Sequence, residues 1–298
     1  MKAEFDFERG RSIVWLASYP KSGNTWVRAL LTAYLDGGGE LNLNALVGKS
    51  RLLDRQMLDD MAGIDSALLS PRDLIPYQAM QIRSLSASAR EPVYIKTHSA
   101  YLSGEGGCAL FPAEATAGAI YIVRNPLDIV LSYAHHEGKD FDAIIAMMSD
   151  ETAMLDHWPS RRSSNIPQLV SSWSNNVASW ISDAPFPVHL VRYEDILRTP
   201  SLEFERILDF LGMTVATDRV AQAIDRASFA SLATAERKSG FAEKPSSARS
   251  FFRQGEAGVG LSVLDVEQLR KILQDSEAIM TRVDYGASEA QSQWSNKV

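Results

Sequence analysis

The chain of 298 residues has a single cysteine, Cys108. A lone thiol closes no intrachain disulfide and supplies no cysteine-rich metal site. Long apolar runs are missing too: none approaches the roughly 20 residues that a membrane span requires. The first residues, MKAEFDFERGR, are charged and lack the apolar centre of a secretion signal. A cytoplasmic location and no membrane partner are therefore expected. Positive charge is in deficit, with 30 Lys and Arg against 37 Asp and Glu and a net charge of −7. That balance argues against nucleic acid as a partner, because such binders carry a basic footprint. An anionic ligand would have to be held by local cations. No Gly-x-x-x-x-Gly-Lys-Ser/Thr phosphate loop occurs, and neither an internal repeat nor a separating linker is visible. The length allows one large domain or two small ones, and without a linker a single domain over residues 1–298 is expected.

The apolar content of 45% and charged content of 22% are those of a folded globular protein. The most informative stretch is Ile13 to Leu35. Ile13–Ala17 reads as a buried strand, and Ser18-Tyr19-Pro20-Lys21-Ser22-Gly23 is turn chemistry with one cation. Asn24 or Thr25 can cap a helix carrying Val27, Leu30, Leu31, Tyr34 and Leu35 at helical spacing. A strand running through a small-residue loop into a helix N-terminus makes an anion seat, because free N–H groups and the helix dipole favour negative charge. Lys21 precedes Gly23, whereas a nucleotide-triphosphatase loop needs the reverse order.

Pro92–Thr97 reads as a second buried strand that delivers Lys96, Thr97 and His98 to its C-terminal end, where open α/β sheets bind ligands. Ala119–Val123 is a third, ended by Arg124-Asn125-Pro126, with a helix over Leu127–His136. Val188–Tyr193 is a fourth. Helices are also expected from Ser70 as cap with Pro71 at the first position, over Ile166–Ile181 with Trp173 and Trp180 on one apolar stripe, over Leu202–Leu211, and over Leu264–Met280. Residues 139–165 read as an irregular, charged lid or insertion. His135 and His136 are adjacent on a helix and diverge, so no metal site is assigned to them; they either face a ligand or favour the helix C-terminus.

Tyr19-Pro20-Lys21-Ser22-Gly23-Asn24-Thr25-Trp26 resembles the 5′-phosphosulfate loop of sulfotransferases that use 3′-phosphoadenosine 5′-phosphosulfate (PAPS), of the soluble small-molecule type and its bacterial relatives. The family usually has Thr where Asn24 stands. Three further blocks, at residues 96–98, 121–133 and 251–255, extend the resemblance over most of the chain. It implies an α/β fold with a central, mainly parallel sheet flanked by helices, similar to P-loop nucleotide kinases, which the strand–helix alternation also favours. It implies PAPS as donor, 3′-phosphoadenosine 5′-phosphate (PAP) as product, and a small-molecule acceptor with a hydroxyl or, in second place, an amine. His98 would be the catalytic base, with Lys21 and Lys96 also catalytic. Lys21, Ser22, Gly23, Asn24 and Thr25 would hold the 5′-phosphate, and Arg124, Ser132 and Arg253 the 3′-phosphate. Trp26, Tyr193 and Phe229 would enclose the adenine. Phe251-Phe252-Arg253-Gln254-Gly255 resembles the closing Arg-Lys-Gly loop, with Gln254 in place of the lysine and no Trp-Lys after Gly258.

Each position also has a plainer reading: His98 as a structural histidine, Arg124 paired with Asp128, Phe229 as core. The alternatives for the whole chain are an ATP-dependent kinase on a related fold or a non-catalytic nucleotide-binding protein. Oligomeric state is not legible.

Overall fold

A computed structural model describes residues 1–48, 54–102, 107–156, 164–245, 250–252 and 255–285. The strands are β1 (Ile13–Ser18), β2 (Val93–Thr97), β3 (Thr116–Val123), β4 (Met154–Leu155), β5 (Gln168–Leu169) and β6 (Val188–Arg192). The α-helices are α1 (Asn24–Leu35), α2 (Arg55–Ala62), α3 (Ile75–Ser88), α4 (Pro126–Glu137), α5 (Phe141–Ser149), α6 (Trp173–Ala178), α7 (Tyr193–Arg198), α8 (Pro200–Phe210), α9 (Thr217–Arg226), α10 (Phe229–Ser239), α11 (Gly260–Val263) and α12 (Val266–Arg282).

β2, β1, β3 and β6 form a parallel sheet in that order. Parallel strands covered on both faces read as continuous apolar runs, and β1 (IVWLAS) is buried along its whole length. Its side chains alternate between two cores. Ile13, Trp15 and Ala17 join Tyr121, Trp173 and Trp180 among α3, α4, α5, α6 and α12. Val14 and Leu16 join α1, α8 and α9 through Leu30, Phe204 and Val220. The expected α/β architecture is thus present.

The register places Ala17 beside Thr97, Ser18 beside Ile122 and Val123 beside Arg192. The strands therefore end level with one another. The residues that follow, Tyr19, His98, Arg124 and Tyr193, emerge along a single edge.

Three local expectations are corrected. Ser70 does not cap a helix at Pro71. Its Oγ donates to Asp73 at 2.7 Å within a turn, and α3 begins at Ile75, where Pro76 occupies the first turn and Leu74 and Ile75 are buried. The helix expected over Ile166–Ile181 starts only at Trp173. Gln168 and Leu169 pair with β4, Ser171 turns left-handed at φ 64°, and Ser172 caps α6. The stripe of Val170, Trp173, Val177 and Trp180 still enters the core, and a π-helical turn over Ser179–Asp183 continues the element. Residues 139–165 are not irregular throughout: α5 is capped by Asp140 and buries Ile144, Ile145 and Met148. Asp140 and Asp142 look like loop charge in the sequence but suit a helix N-terminus. Residues 157–163 of the expected lid lie outside the described residues.

Candidate active site

The loop after β1 is held in an unusual backbone conformation. Lys21 sits at φ 68° and Gly23 at φ 100°. A Cβ on Gly23 would lie 2.6 Å from the Tyr193 ring, so the position requires glycine for both its angle and its space. Gly23, and not Asn24 or Thr25 as expected, is the N-cap of α1, and no side chain caps the helix. The Asn24 side chain is turned back under the loop instead. Its Nδ2 donates to the Leu16 carbonyl at 2.8 Å and to Ser18 Oγ at 3.3 Å, bracing the end of β1. Ser22 Oγ is buried with no partner among the described residues. An uncapped helix start beside an orphaned hydroxyl suits an anion.

The cleft in front of the loop has a volume of about 760 Å³. Its walls include Lys21, Gly23, Asn24, Thr25, Trp26, Lys96, His98, Arg124, Ser132, Tyr193, Phe229 and Gly255. Residues far apart in sequence are thereby brought together. Ser22 lies behind the wall, and Arg253 and Gln254 lie outside the described residues.

His98 is fixed from several sides. Its Nδ1 is 2.9 Å from the Ser18 carbonyl, which can only accept, so Nδ1 carries the proton and Nε2 keeps its lone pair. Its backbone N–H donates to Gln168 Oε1 at 2.9 Å, and its carbonyl accepts from Asn176 Nδ2 at 3.0 Å. Burial and the adjacent Lys96 charge lower its pKa to about 3.

The cations are arranged unevenly. Burial, Lys96 and Arg124 lower the Lys21 pKa to about 8. Its Nζ lies 3.2 Å from His136 Nδ1 and 4.3 Å from the centre of the Phe251 ring. Lys96 Nζ donates to Glu243 at 2.8 Å, and Arg28, on α1, donates to the same carboxylate at 2.8 Å. Arg28 and Glu243 were missed by sequence reasoning, because the contacts span 215 and 147 residues and no local pattern marks them. His135 turns towards the Ser250 carbonyl while His136 faces the cleft, so the pair diverges. Among the described residues, no group of three or more His, Cys, Asp or Glu side chains could hold a metal ion.

Arg124 does not pair with Asp128. Its guanidinium donates to the Lys21 and Glu256 carbonyls at 3.3 and 3.0 Å and lies 4.4 Å from the Tyr193 ring centre. Among the described residues its Nε has no partner. Asp128 instead accepts from the N–H groups of Gly258 and Gly260 at 2.6 and 2.7 Å. At the other end of that loop, Glu236 accepts from Phe251 and Phe252 at 2.7 and 3.0 Å. Two carboxylates thus hold Phe251 and Phe252 on one side of Gly255 and Gly258 and Gly260 on the other. Gly255, at φ 64°, would drive a Cβ to 2.6 Å from Phe229. Trp26 donates through Nε1 to the Ala227 carbonyl at 3.0 Å and meets Tyr193 edge-on. Trp26 and Phe229 pack against the same core.

Acid stability provides a check on the histidines. Burial first, then nearby lysines, lowers the pKa of His98 to about 3 and of His136 to about 4. Unfolded histidine titrates near 6.5. Below that pH the unfolded chain binds protons that the folded chain refuses, so stability falls as pH drops. Denaturant titrations from pH 7 to 5, above the carboxylate range, should show this loss. The variant His98→Asn/His136→Asn should reduce it, leaving the part due to His189, whose pKa burial also lowers; an equal slope in both proteins would mean that these two histidines titrate alike folded and unfolded.

A family model described as a sulfotransferase domain matches residues 11–284. The flavonol 3-sulfotransferase of Flaveria bidentis is 26% identical over 291 residues, covering 91% of this chain and 83% of its own. Cytosolic sulfotransferase 7 of Arabidopsis thaliana is 22% identical over 267 residues, covering 85% and 74%. Among solved structures, a mouse sulfotransferase complexed with PAP covers 97% of this chain and 90% of its own, with a TM-score of 0.58 at 18% identity. A retinol dehydratase complexed with retinol and PAP covers 90% and 81%, with a TM-score of 0.57 at 18% identity. At such identities the structural likeness speaks for the fold.

Proposed function

Since the chain belongs to the sulfotransferase family, we propose that its cleft moves a sulfuryl group from PAPS to a hydroxyl of a small-molecule acceptor, with His98 as the base. The observation that carries this reading is the tautomer of His98. The Ser18 carbonyl takes up Nδ1–H, which leaves Nε2 to receive a proton in a cleft shared with Lys21 and Lys96. The family makes the chain an enzyme that transfers sulfuryl groups, so neither the kinase nor the non-catalytic binder is retained.

The residues present fit a doubly phosphorylated nucleotide donor. The buried Ser22 hydroxyl, the uncapped start of α1 and Lys21 would take the 5′ end. Arg124, whose Nε has no partner among the described residues, and Ser132 would take the 3′-phosphate. Trp26, Tyr193 and Phe229 would enclose the base, where stacking contributes roughly 1–3 kcal/mol by analogy with nucleic-acid platforms. When bound, the donor supplies the sulfuryl group and a phosphate leaving group.

His98 Nε2 receives the hydroxyl proton as the acceptor oxygen bonds to sulfur. Lys21 offsets the charge that builds on the departing phosphate oxygen, which keeps the electron pair of the broken S–O bond. Lys96 steadies the sulfuryl oxygens. A low His98 pKa is compatible with this role, because two of its causes are the charges of Lys96 and Lys21. An anionic donor offsets both and restores basicity as it binds.

Leu131, Tyr133, Met147, Met154 and Leu155 also line the cleft. They suit a hydrophobic phenol or alcohol, in keeping with relatives named for flavonols and one complexed with retinol; an amine is the second choice. Among the described residues no helix is long and apolar enough to cross a membrane. A cytoplasmic location and a single catalytic domain are proposed with this reading, and relatives named as cytosolic support the first.

Calorimetric titration with PAP, and with ATP and magnesium for comparison, tests the donor. PAP should bind and ATP should not compete effectively. Arg124→Ala should weaken PAP by at least about 10-fold, the loss expected for one charge-assisted contact of about 1.5–3 kcal/mol. Binding of ATP alone, or of neither nucleotide, would overturn the reading.

A further inference from the structure

Glu243 has no part in the reaction as set out above, yet it stands in the cleft wall. Its carboxylate is held from two sides. Lys96 Nζ donates to Oε2 at 2.8 Å, and Arg28 Nη1 donates to Oε1 at 2.8 Å. The Arg28 side chain is only 1% exposed and also donates through Nε to the Val47 carbonyl at 2.7 Å. A guanidinium at that depth needs an anion, because an uncompensated buried charge is strongly destabilising. Glu243 supplies it and thereby joins three parts of the site. Arg28 lies on α1 just beyond the anion loop. Lys96 lies near the end of β2, two residues before His98. Phe241, two residues before Glu243, packs on Phe251 and Phe252 with ring centres 4.8 and 5.9 Å apart.

We propose that Glu243 is a positioning residue for sulfuryl transfer, holding the Lys96 ammonium beside His98 and offsetting the charge that Lys96 would otherwise turn on the base. This rests on the functional reading above. The groups that bear on the pair are few. Lys96 faces Glu243, Arg28 and Asp156; burial and Arg28 lower its pKa, while Glu243 and Asp156 oppose them. His98 faces Lys96, Lys21, Glu243 and the Ser18 carbonyl; burial, Lys96 and Lys21 lower its pKa, while the carbonyl and Glu243 oppose them. Burial alone would raise the Glu243 carboxyl, but Lys96 and Arg28 bring it down to about 2, so it is an anion throughout the working range.

Replacing Glu243 by Gln keeps the shape and removes the charge, and it lowers stability because Arg28 loses its counter-ion, so rates and binding are read below the melting temperature of each variant. Lys96 then loses its proton at lower pH and moves more freely, and His98 becomes a weaker base. The positive field on the donor grows at the same time. Loss of packing alone would act differently: it would weaken nucleotide binding and leave the titrations where they are.

The test compares the wild type, Glu243→Gln and Glu243→Asp, using PAPS and whichever member of a panel of simple phenols and alcohols the wild type sulfates. Glu243→Gln should lower kcat roughly 10- to 100-fold, a fraction of what a general base contributes. Its PAP affinity should be unchanged or tighter, and the alkaline limb of its pH profile should move to lower pH. Glu243→Asp keeps the charge and should retain more activity than Glu243→Gln, with its limb near that of the wild type. A kcat for Glu243→Gln within two-fold of the wild type would overturn the proposal. Equal losses in both variants, with weaker PAP binding and an unmoved limb, would overturn it as well, leaving a merely structural residue. A wild type that sulfates no member of the panel would overturn the functional reading and this proposal with it.

Discussion

Turnover by His98→Ala should fall by about 10²- to 10⁴-fold, the range a positioned general base contributes, while the Kd for PAP stays within about two-fold. The separation follows from the geometry. His98 is held by Ser18, Gln168 and Asn176, groups that brace β1, β5 and α6 and are not the cations that would hold the donor. Its removal takes away the proton acceptor and leaves Lys21 and Arg124 in place. The pH profile adds a second signature. With the free-enzyme pKa lowered to about 3 by burial and by Lys96, the base stays neutral well below the ordinary histidine value. Wild-type kcat/KM should therefore show no acid limb attributable to His98 between pH 7 and 5. Steady-state rates together with calorimetry decide the matter: near-full activity in His98→Ala would end its assignment as the base.

Gly23→Ala should abolish measurable PAP binding, weakening it at least about 100-fold, and should also lower the melting temperature. Two costs coincide. The residue holds φ at 100°, where an L side chain is strained by roughly 1–2 kcal/mol. The new Cβ would also stand 2.6 Å from the Tyr193 ring, so the ring or the loop must move. That ring carries the Arg124 guanidinium at 4.4 Å and meets Trp26 edge-on, so its displacement reaches the groups proposed for the 3′-phosphate and the adenine. Destabilisation of 1–2 kcal/mol corresponds to a few degrees in melting temperature for a chain of this length. Tyr193→Ala placed in the Gly23→Ala background should recover part of the stability if the ring contact is a cause. PAP binding within three-fold of the wild type would show that the loop tolerates a side chain.

Much of the site was legible because its signals are local. Lys21, Gly23, Lys96, His98 and Arg124 each sit at the junction of an apolar strand with turn or cap chemistry, and such junctions are written within a few consecutive residues. The helix over Phe141–Ser149 was hidden for the opposite reason: the acidic residues at its start read equally well as a solvated loop. Ser70-Pro71 misled because a good cap dipeptide also makes a good turn. The choice fell to the burial of Leu74 and Ile75, which belongs to packing and not to the dipeptide.

By itself the sequence determined the four strands of the parallel sheet, the glycine-bearing loop between β1 and α1, and the family, because these rest on short-range pattern and backbone preference. The tertiary structure alone decided which nitrogen of His98 keeps its lone pair, that Arg124 serves the loop and not Asp128, and that Lys96 shares Glu243 with Arg28. Each of these depends on a hydrogen-bond partner brought in by the register of a parallel sheet or by a distant loop. Hydrogen bonds and charges act over a few ångströms of space, whatever the separation along the chain.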